Sequence, residues 1–215
     1  MSKTKNINVD YQNGLNKLGF SINDSSLFLT NEKKLFYGPQ IEFYLEKARE
    51  FQASAVYLRK QLNGSYKPQV FLFNFTDRGF NNKNEIQLTE IQKKIWSSGE
   101  APLACIFYKT EIKILDCTTP IENDYKPIHL VNHLNLTEQA HHLYNEQFAV
   151  KIKSGVFWEE NELKNKFKLQ NSSYDKLIEN IKYIVEKLKQ KYQDVQIDLI
   201  NKIIVQSILI KYLIA

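Results

Sequence analysis

Arginine, glycine and cysteine are scarce in this chain, and each shortage excludes something. Arg49, Arg59 and Arg78 are its whole supply of guanidinium groups, the donors that specific DNA readers place bidentately on guanine. The remaining positive charge is lysine, which serves phosphate contacts and solubility alike, and the formal net charge of +5 is modest for 215 residues. The 7 glycines are dispersed, so no GxxxxGK[ST] phosphate loop, GxGxxG dinucleotide turn or GxSxG nucleophile elbow occurs. Cys105 and Cys117 have no CxxC spacing and sit in apolar runs, which fits reduced core thiols better than a zinc site or a disulfide framework. Long apolar runs are missing too. The longest, Ile203 to Ile214, is broken by Gln206, Ser207 and Lys211 and falls short of the roughly 20 residues a membrane span needs. Met1 to Asp10 is polar with no apolar segment behind it, so the expectation is a cytoplasmic protein with no membrane partner.

What the chain does have is apolar material, 43% of its residues, enough to bury one core with a small second unit beside it. After Gly38-Pro39, the apolar residues Ile41, Tyr44, Leu45 and Ala48 recur at helical spacing with Glu42, Glu46 and Glu50 on other faces, predicting a helix over 40–51. Ala55–Arg59 and Gln69–Phe75 read as strands joined by the turn Asn63-Gly64-Ser65, with Pro68 opening the second. Leu88, Ile91, Ile95 and Trp96 mark another helix, with Thr89 able to cap it and Ser97-Ser98-Gly99 stopping it. Leu103–Tyr108 and Glu111–Asp116 form two further strands around Lys109-Thr110, and residues 120–127 read as a linker.

The first forty residues offer only a polar start and the apolar patch Leu27-Phe28-Leu29. From Leu134 onward the chain reads as helical or irregular, with a boundary at Gly155, an amphipathic helix after Ser172-Ser173 and an apolar helix over Val195–Leu213. These elements predict an α+β or α/β fold. A mixed β-sheet flanked by helices occupies 1–130, and a helical connector occupies 131–215. The last helix is apolar around most of its circumference, so a fragment or an obligate partner is expected.

Several motifs in one order suggest a family. Ile95-Trp96-Ser97-Ser98-Gly99-Glu100-Ala101-Pro102-Leu103 followed by Ile106-Phe107-Tyr108-Lys109-Thr110-Glu111-Ile112-Lys113-Ile114 resembles the N-terminal domain of type IIG-like restriction-modification adenine-specific DNA methyltransferases. Ser154-Gly155-Val156-Phe157-Trp158-Glu159 resembles the pattern near that domain's end. Val205-Gln206-Ser207-Ile208-Leu209-Ile210-Lys211-Tyr212-Leu213 resembles the helix leading into the methylase region, so the likeness runs from about Ile41 to the C-terminus. It implies a restriction-endonuclease-like fold, a helical segment and, in a parent protein, a methylase using S-adenosylmethionine. This chain has neither the glycine-rich cofactor loop nor an Asn-Pro-Pro-Tyr motif for a flipped adenine, so it holds no S-adenosylmethionine site and does not methylate DNA alone.

Nucleases of the PD-(D/E)XK type need an aspartate and an acid-x-lysine on adjacent strands, so that carboxylates converge on magnesium and the lysine acts on water. The strands at Ala55 and Val70 are the natural places, and neither offers a carboxylate; Asp77 lies just past the second without a lysine two residues on. Glu111-Ile112-Lys113 is the surviving triplet. Strand alternation puts Glu111 and Lys113 on one face, either as a solvated hairpin face or as a catalytic pair, with Asp116 opposite and Glu42 or Glu46 as possible helical additions. His129 and His133 have the spacing of a zinc-binding helix without a third ligand, and His141-His142 are adjacent.

Arg59, Lys60 and Arg78 among the aromatics Tyr57, Tyr66, Phe71, Phe73, Phe75 and Phe80 are the candidate DNA-binding residues, though alternating phenylalanines also suit a core. Three functions follow from these readings. One is a non-catalytic DNA-contact or packing domain of a phage-defence methyltransferase. The others are a magnesium-dependent endonuclease using Glu111 and Lys113, and an interaction module that pairs with a separate methylase chain.

Overall fold

The structure is a computed structural model, and it describes residues 8–31, 37–77, 82–121, 126–139, 142–160, 162–163, 173–192 and 195–214. The chain divides into two compact units, Met1–Leu169 and Gln170–Ala215.

In the first unit, the described residues form one six-stranded sheet whose spatial order follows the sequence: β1 (Leu27–Leu29), β2 (Ala55–Lys60), β3 (Tyr66–Asn74), β4 (Leu103–Phe107), β5 (Glu111–Asp116) and β6 (His129–Asn135). All neighbours are antiparallel except β3 and β4, which run parallel with Val70 opposite Leu103 and Asn74 opposite Phe107. A parallel pair needs a crossover. Here it is α3 (Asn82–Ser98). Both strands of that pair read as continuous apolar runs, Val70-Phe71-Leu72-Phe73 and Leu103-Ala104-Cys105-Ile106-Phe107, and all nine residues are fully buried. Burial on both faces demands a layer on each side.

One layer consists of α1 (Val9–Lys17), α4 (Phe148–Ser154) and the tight turn Val156–Glu159, which cover Val70, Leu72, Leu103, Cys105, Phe107, Ile112 and Ile114. The other consists of α2 (Pro39–Glu50) and α3, which cover Val56, Leu58, Phe71, Phe73, Ala104, Ile106 and Leu115. The mixed sheet with flanking helices expected from the sequence is therefore present. α1 meets β4 through Tyr11, whose ring packs edge-on against Phe107 at 5.2 Å, and through Gly14, where an added Cβ would lie 2.6 Å from the Phe107 ring.

The structure adds two strands and one helix that the sequence pattern does not announce: α1, β1 at the Leu27–Leu29 patch, and β6. The division at residue 130 falls inside β6, and Phe148, Ile152 and Phe157 share a core with the sheet, so the first compact unit continues past that point. α3 starts at Asn82, so Thr89 is not an N-cap; it lies inside the helix and donates its hydroxyl to the Glu85 carbonyl at 2.9 Å. Gly99 does stop α3, at φ +65°, donating to the carbonyls of Ile95 and Trp96. Pro68 sits two residues inside β3 rather than opening it.

The second unit contains α5 (Ser173–Lys191) and α6 (Ile197–Ile214), which contact each other. On α5, Ile178, Ile181, Val185 and Leu188 form a half-buried stripe, while Leu177 and Ile184 are exposed. No helix among the described residues is long and apolar enough to cross a membrane.

One polar knot ties the α4 layer to the sheet. Asp24 accepts hydrogen bonds from Tyr57 Oη (2.8 Å), the Ser26 amide (2.9 Å) and Lys153 Nζ (2.8 Å). Burial alone would raise the Asp24 carboxyl, but these three donors outweigh it and hold it below the usual aspartate range. A depressed carboxyl stabilises the fold above its unfolded-state pKa of about 3.9, and that stabilisation disappears as the pH falls through the lower folded value. Asp24→Asn is therefore expected to cost about 2 kcal/mol in urea unfolding at pH 7, with the gap to wild type closing at acid pH. A gap independent of pH would contradict this account.

A candidate charged site at the edge of the sheet

β5 alternates as the sequence predicts. Ile112 and Ile114 face the α1/α4 core, whereas Leu115 and Cys117 belong to the α2/α3 core, the side on which alternation also places Glu111 and Lys113. Asp116 does not reach that side: it is buried and engaged in a local turn, accepting from the Thr118 amide at 2.9 Å and from its hydroxyl at 2.6 Å.

Lys113 is only 4% exposed, an unusual degree of burial for a lysine. Burial pushes its ammonium pKa down, and the carboxylates of Glu111 and Glu85 oppose that shift. His129, opposite Leu115 on β6, is lowered by its own burial and by the Lys113 charge, with Glu85 again opposing, and its Nδ1 is buried without a hydrogen-bond partner. Glu111 in turn is paired with His133 Nδ1, whose ring is mostly exposed. The site therefore joins Glu85, Glu111, Lys113, His129 and His133. Its backbone support is α3's Gln92, fully buried, which donates to the Asp116 carbonyl and also receives the Ile128 amide at 2.8 Å, pinning the start of β6 to the end of β5.

Sequence reasoning finds Glu111 and Lys113 and misses Glu85. The signal is present: Glu85, Leu88, Gln92 and Ile95 lie at three-four spacing on α3, so a carboxylate and an amide continue the helix's core-facing stripe. The helical carboxylate acting on Lys113 is Glu85 rather than Glu42 or Glu46; Glu42 instead accepts the Tyr37 amide at 3.3 Å. His129 and His133 lie on a strand, not on a helix, and among the described residues no group of three or more His, Cys, Asp or Glu side chains is placed to hold a metal ion.

The candidate DNA-binding residues fare differently. The Arg59 guanidinium donates to the Ser154 carbonyl at 3.0 Å, at the C-terminus of α4, where a helix dipole favours a cation. The next residue, Gly155, holds φ +92°, and a Cβ there would collide with that guanidinium. Arg59 is thus engaged in closing α4 onto β2. Lys60 is exposed at the end of β2. Arg78, Phe80 and His141 lie outside the described residues. Phe71, Phe73 and Phe75 are core residues and offer no stacking platform.

No protein-family model, no curated protein and no solved structure matches this chain.

Burial penalises the Lys113 ammonium more than the carboxylates of Glu111 and Glu85 favour it, which is why its pKa falls. Lys113→Met removes the penalty and the attraction together and, with the penalty the larger, is expected to be more stable than wild type at pH 7. Because the folded-state lysine binds its proton less tightly than the unfolded one, wild-type stability rises between its lowered pKa and about 10.4, so the advantage of the variant should shrink over that range. Paired urea titrations at pH 7 and pH 10 measure both effects; a variant less stable than wild type at pH 7 would show that the Lys113 ion pairs outweigh its burial.

Proposed function

We propose that this chain is the N-terminal module of a restriction-modification DNA methyltransferase and serves there as a non-catalytic DNA-contact or inter-domain packing domain of endonuclease-like fold. The observation that carries this reading is the complete lack of Asp and Glu in residues 51–76, which span β2 and β3. Those are the strands on which an endonuclease-like domain would hold magnesium. Neutral groups stand at the end of that hairpin instead, with Ser54 Oγ accepting the Asn74 amide at 3.0 Å and Asn74 Oδ1 accepting from the amide and hydroxyl of Thr76. The antiparallel β1–β3 meander, crossover helix and parallel β4 are compatible with an endonuclease-like core. The motifs from Ile95 to Ile114 supply the likeness to the methyltransferase family. In that setting S-adenosylmethionine belongs to the parent's methylase domain, and the exposed apolar residues of α5 and α6 suit packing against it.

The magnesium-dependent nuclease is the second reading, and the grouping of Glu111 and Lys113 with Glu85 is what favours it. Against it, Glu111 is already occupied by His133. The deciding experiment incubates the purified chain with a mixed-sequence duplex, with and without magnesium, and scores mobility shift and cleavage together. The expected result is a shift that weakens steeply with salt and no cleavage. Magnesium-dependent cleavage abolished by Glu111→Ala would replace this reading by the nuclease. Neither binding nor cleavage would remove the DNA contact and leave the packing role.

A further inference from the structure

We infer that the pocket between α1 and the end of β1, the start of β2 and the end of β3 binds a pyrimidine base bearing two carbonyls, thymine or uracil. The base comes either as a free nucleoside or as an unpaired position of a strand. This goes beyond the DNA-contact reading and does not depend on it. The pocket is partly open and measures about 220 Å³. An apolar cavity of about 150 Å³ holds benzene, so in proportion this one takes about nine non-hydrogen atoms, the size of thymine. Purines and hexoses exceed that size.

The lining suits an uncharged ring. Leu29, Ala53 and Tyr11 supply apolar surface, and among the described residues no charged side chain lines the pocket. Asn8, which does line it, donates its side-chain amide to Asp77 Oδ1 at 3.0 Å. An anion would therefore meet a carboxylate nearby and no cation.

The polar groups of the pocket are used unevenly by the fold. Asn74 Oδ1 accepts from the Thr76 amide at 3.1 Å and hydroxyl at 2.7 Å, whereas Asn74 Nδ2 has no acceptor among the described residues. Ser54 Oγ accepts the Asn74 amide at 3.0 Å and likewise leaves its own hydrogen unused. Thr30 is the reverse: its hydroxyl donates to the carbonyls of Ala53 (2.9 Å) and Ser54 (3.0 Å), which leaves only its oxygen lone pairs for a ligand. Asn31 is exposed, and its amide serves either way. Tyr11 has a buried hydroxyl with no hydrogen-bond partner, a state in which few buried polar groups are left.

Unused hydrogens thus outnumber unused lone pairs, and the ligand must present the opposite balance. The hydrogen-bonding edge of thymine and uracil does so, with two carbonyl oxygens flanking one N–H. Cytosine replaces one of those carbonyls by an amino donor, and a sugar carries a donor on every hydroxyl. Ser54 and Asn74 are already held by each other and by Thr76, so little side-chain freedom is lost on binding.

The test titrates the full chain with thymidine, uridine, cytidine and adenosine and follows the backbone amide resonances. Thymidine and uridine are expected to give saturable shifts at Leu29, Thr30, Ala53, Ser54 and Asn74, with cytidine and adenosine weaker by about tenfold or more, as expected when one hydrogen-bonding group is left unpaired. Asn74→Asp keeps the acceptor for Thr76 and removes the Nδ2 donors, so thymidine affinity should fall by about tenfold or more. If that variant does not fold, the shift map and the nucleoside selectivity decide alone. A duplex carrying one unpaired thymine separates the two sources: the same shifts at lower concentration than thymidine assign the pocket to a strand, and otherwise to the free nucleoside. Shifts centred elsewhere, an equal response to adenosine, unchanged affinity in folded Asn74→Asp, or no saturable response to any nucleoside overturns the site. None of these results touches the duplex mobility shift that decides DNA contact, so the two readings fail separately.

Discussion

The parallel pairing of β3 with β4 is the constraint from which the rest of the architecture follows. Parallel neighbours cannot be joined by a tight turn, so α3 must cross over, and neither strand face can meet water, so helices must cover both. The sequence obeys this at every buried position of the pair, from Val70 to Phe73 and from Leu103 to Phe107. A carboxylate there would lie in a closed apolar layer, where an isolated charge is prohibitively costly unless a metal or a cation compensates it. The absence of acids from the buried part of the hairpin and the tight burial of β3 and β4 are therefore two sides of one condition.

Charge consequently lies outside that strand pair, in the Asp24–Lys153 knot, at the β5–β6 edge and on exposed positions such as Lys60 and Lys67. At the β5–β6 edge stands a group in which Lys113 and His129 feel Glu85, and Glu111 pairs with His133. Its members act on each other, which suits the attachment of an edge strand that has few apolar residues of its own. At the hairpin tip, Lys60 and Lys67 have no acidic neighbours in sequence for many residues on either side, and their charge is directed outward.

Legibility in the sequence follows the same division. β4 and β5 are legible to within a residue: β4 is a continuous apolar run, as burial on two faces demands, and β5 places Ile112 and Ile114 at alternate positions, although both of its faces are buried. β6 is not legible because it is an edge strand: only Leu134 of its seven residues is buried, so His129-Leu-Val-Asn-His-Leu-Asn135 carries no clear period, and two register shifts against β5 blur what remains. α1 escapes notice because, of the residues it buries, Tyr11, Gly14 and Leu15, the glycine scores against a helix and is there for close approach. In the charged site, Glu111 and Lys113 are legible through strand alternation, whereas Glu85 depends on a helix start seven residues earlier than the supposed cap at Thr89. The engagement of Arg59 with Ser154, 95 residues away, has no local signature at all.

The engaged arginine bears on what the β2–β3 hairpin presents to its surroundings. Arg59, cross-strand neighbour of Lys67, is half-buried and locked to the end of α4, and the glycine beside that carbonyl keeps the space open for it. The guanidinium, the side chain best shaped for reading guanine, is thus withdrawn into the scaffold, and lysine is left to face outward. Lysine neutralises phosphate without regard to sequence. Arg59 therefore helps hold α4 against β2, and the exposed charge on the hairpin is left to Lys60 and Lys67.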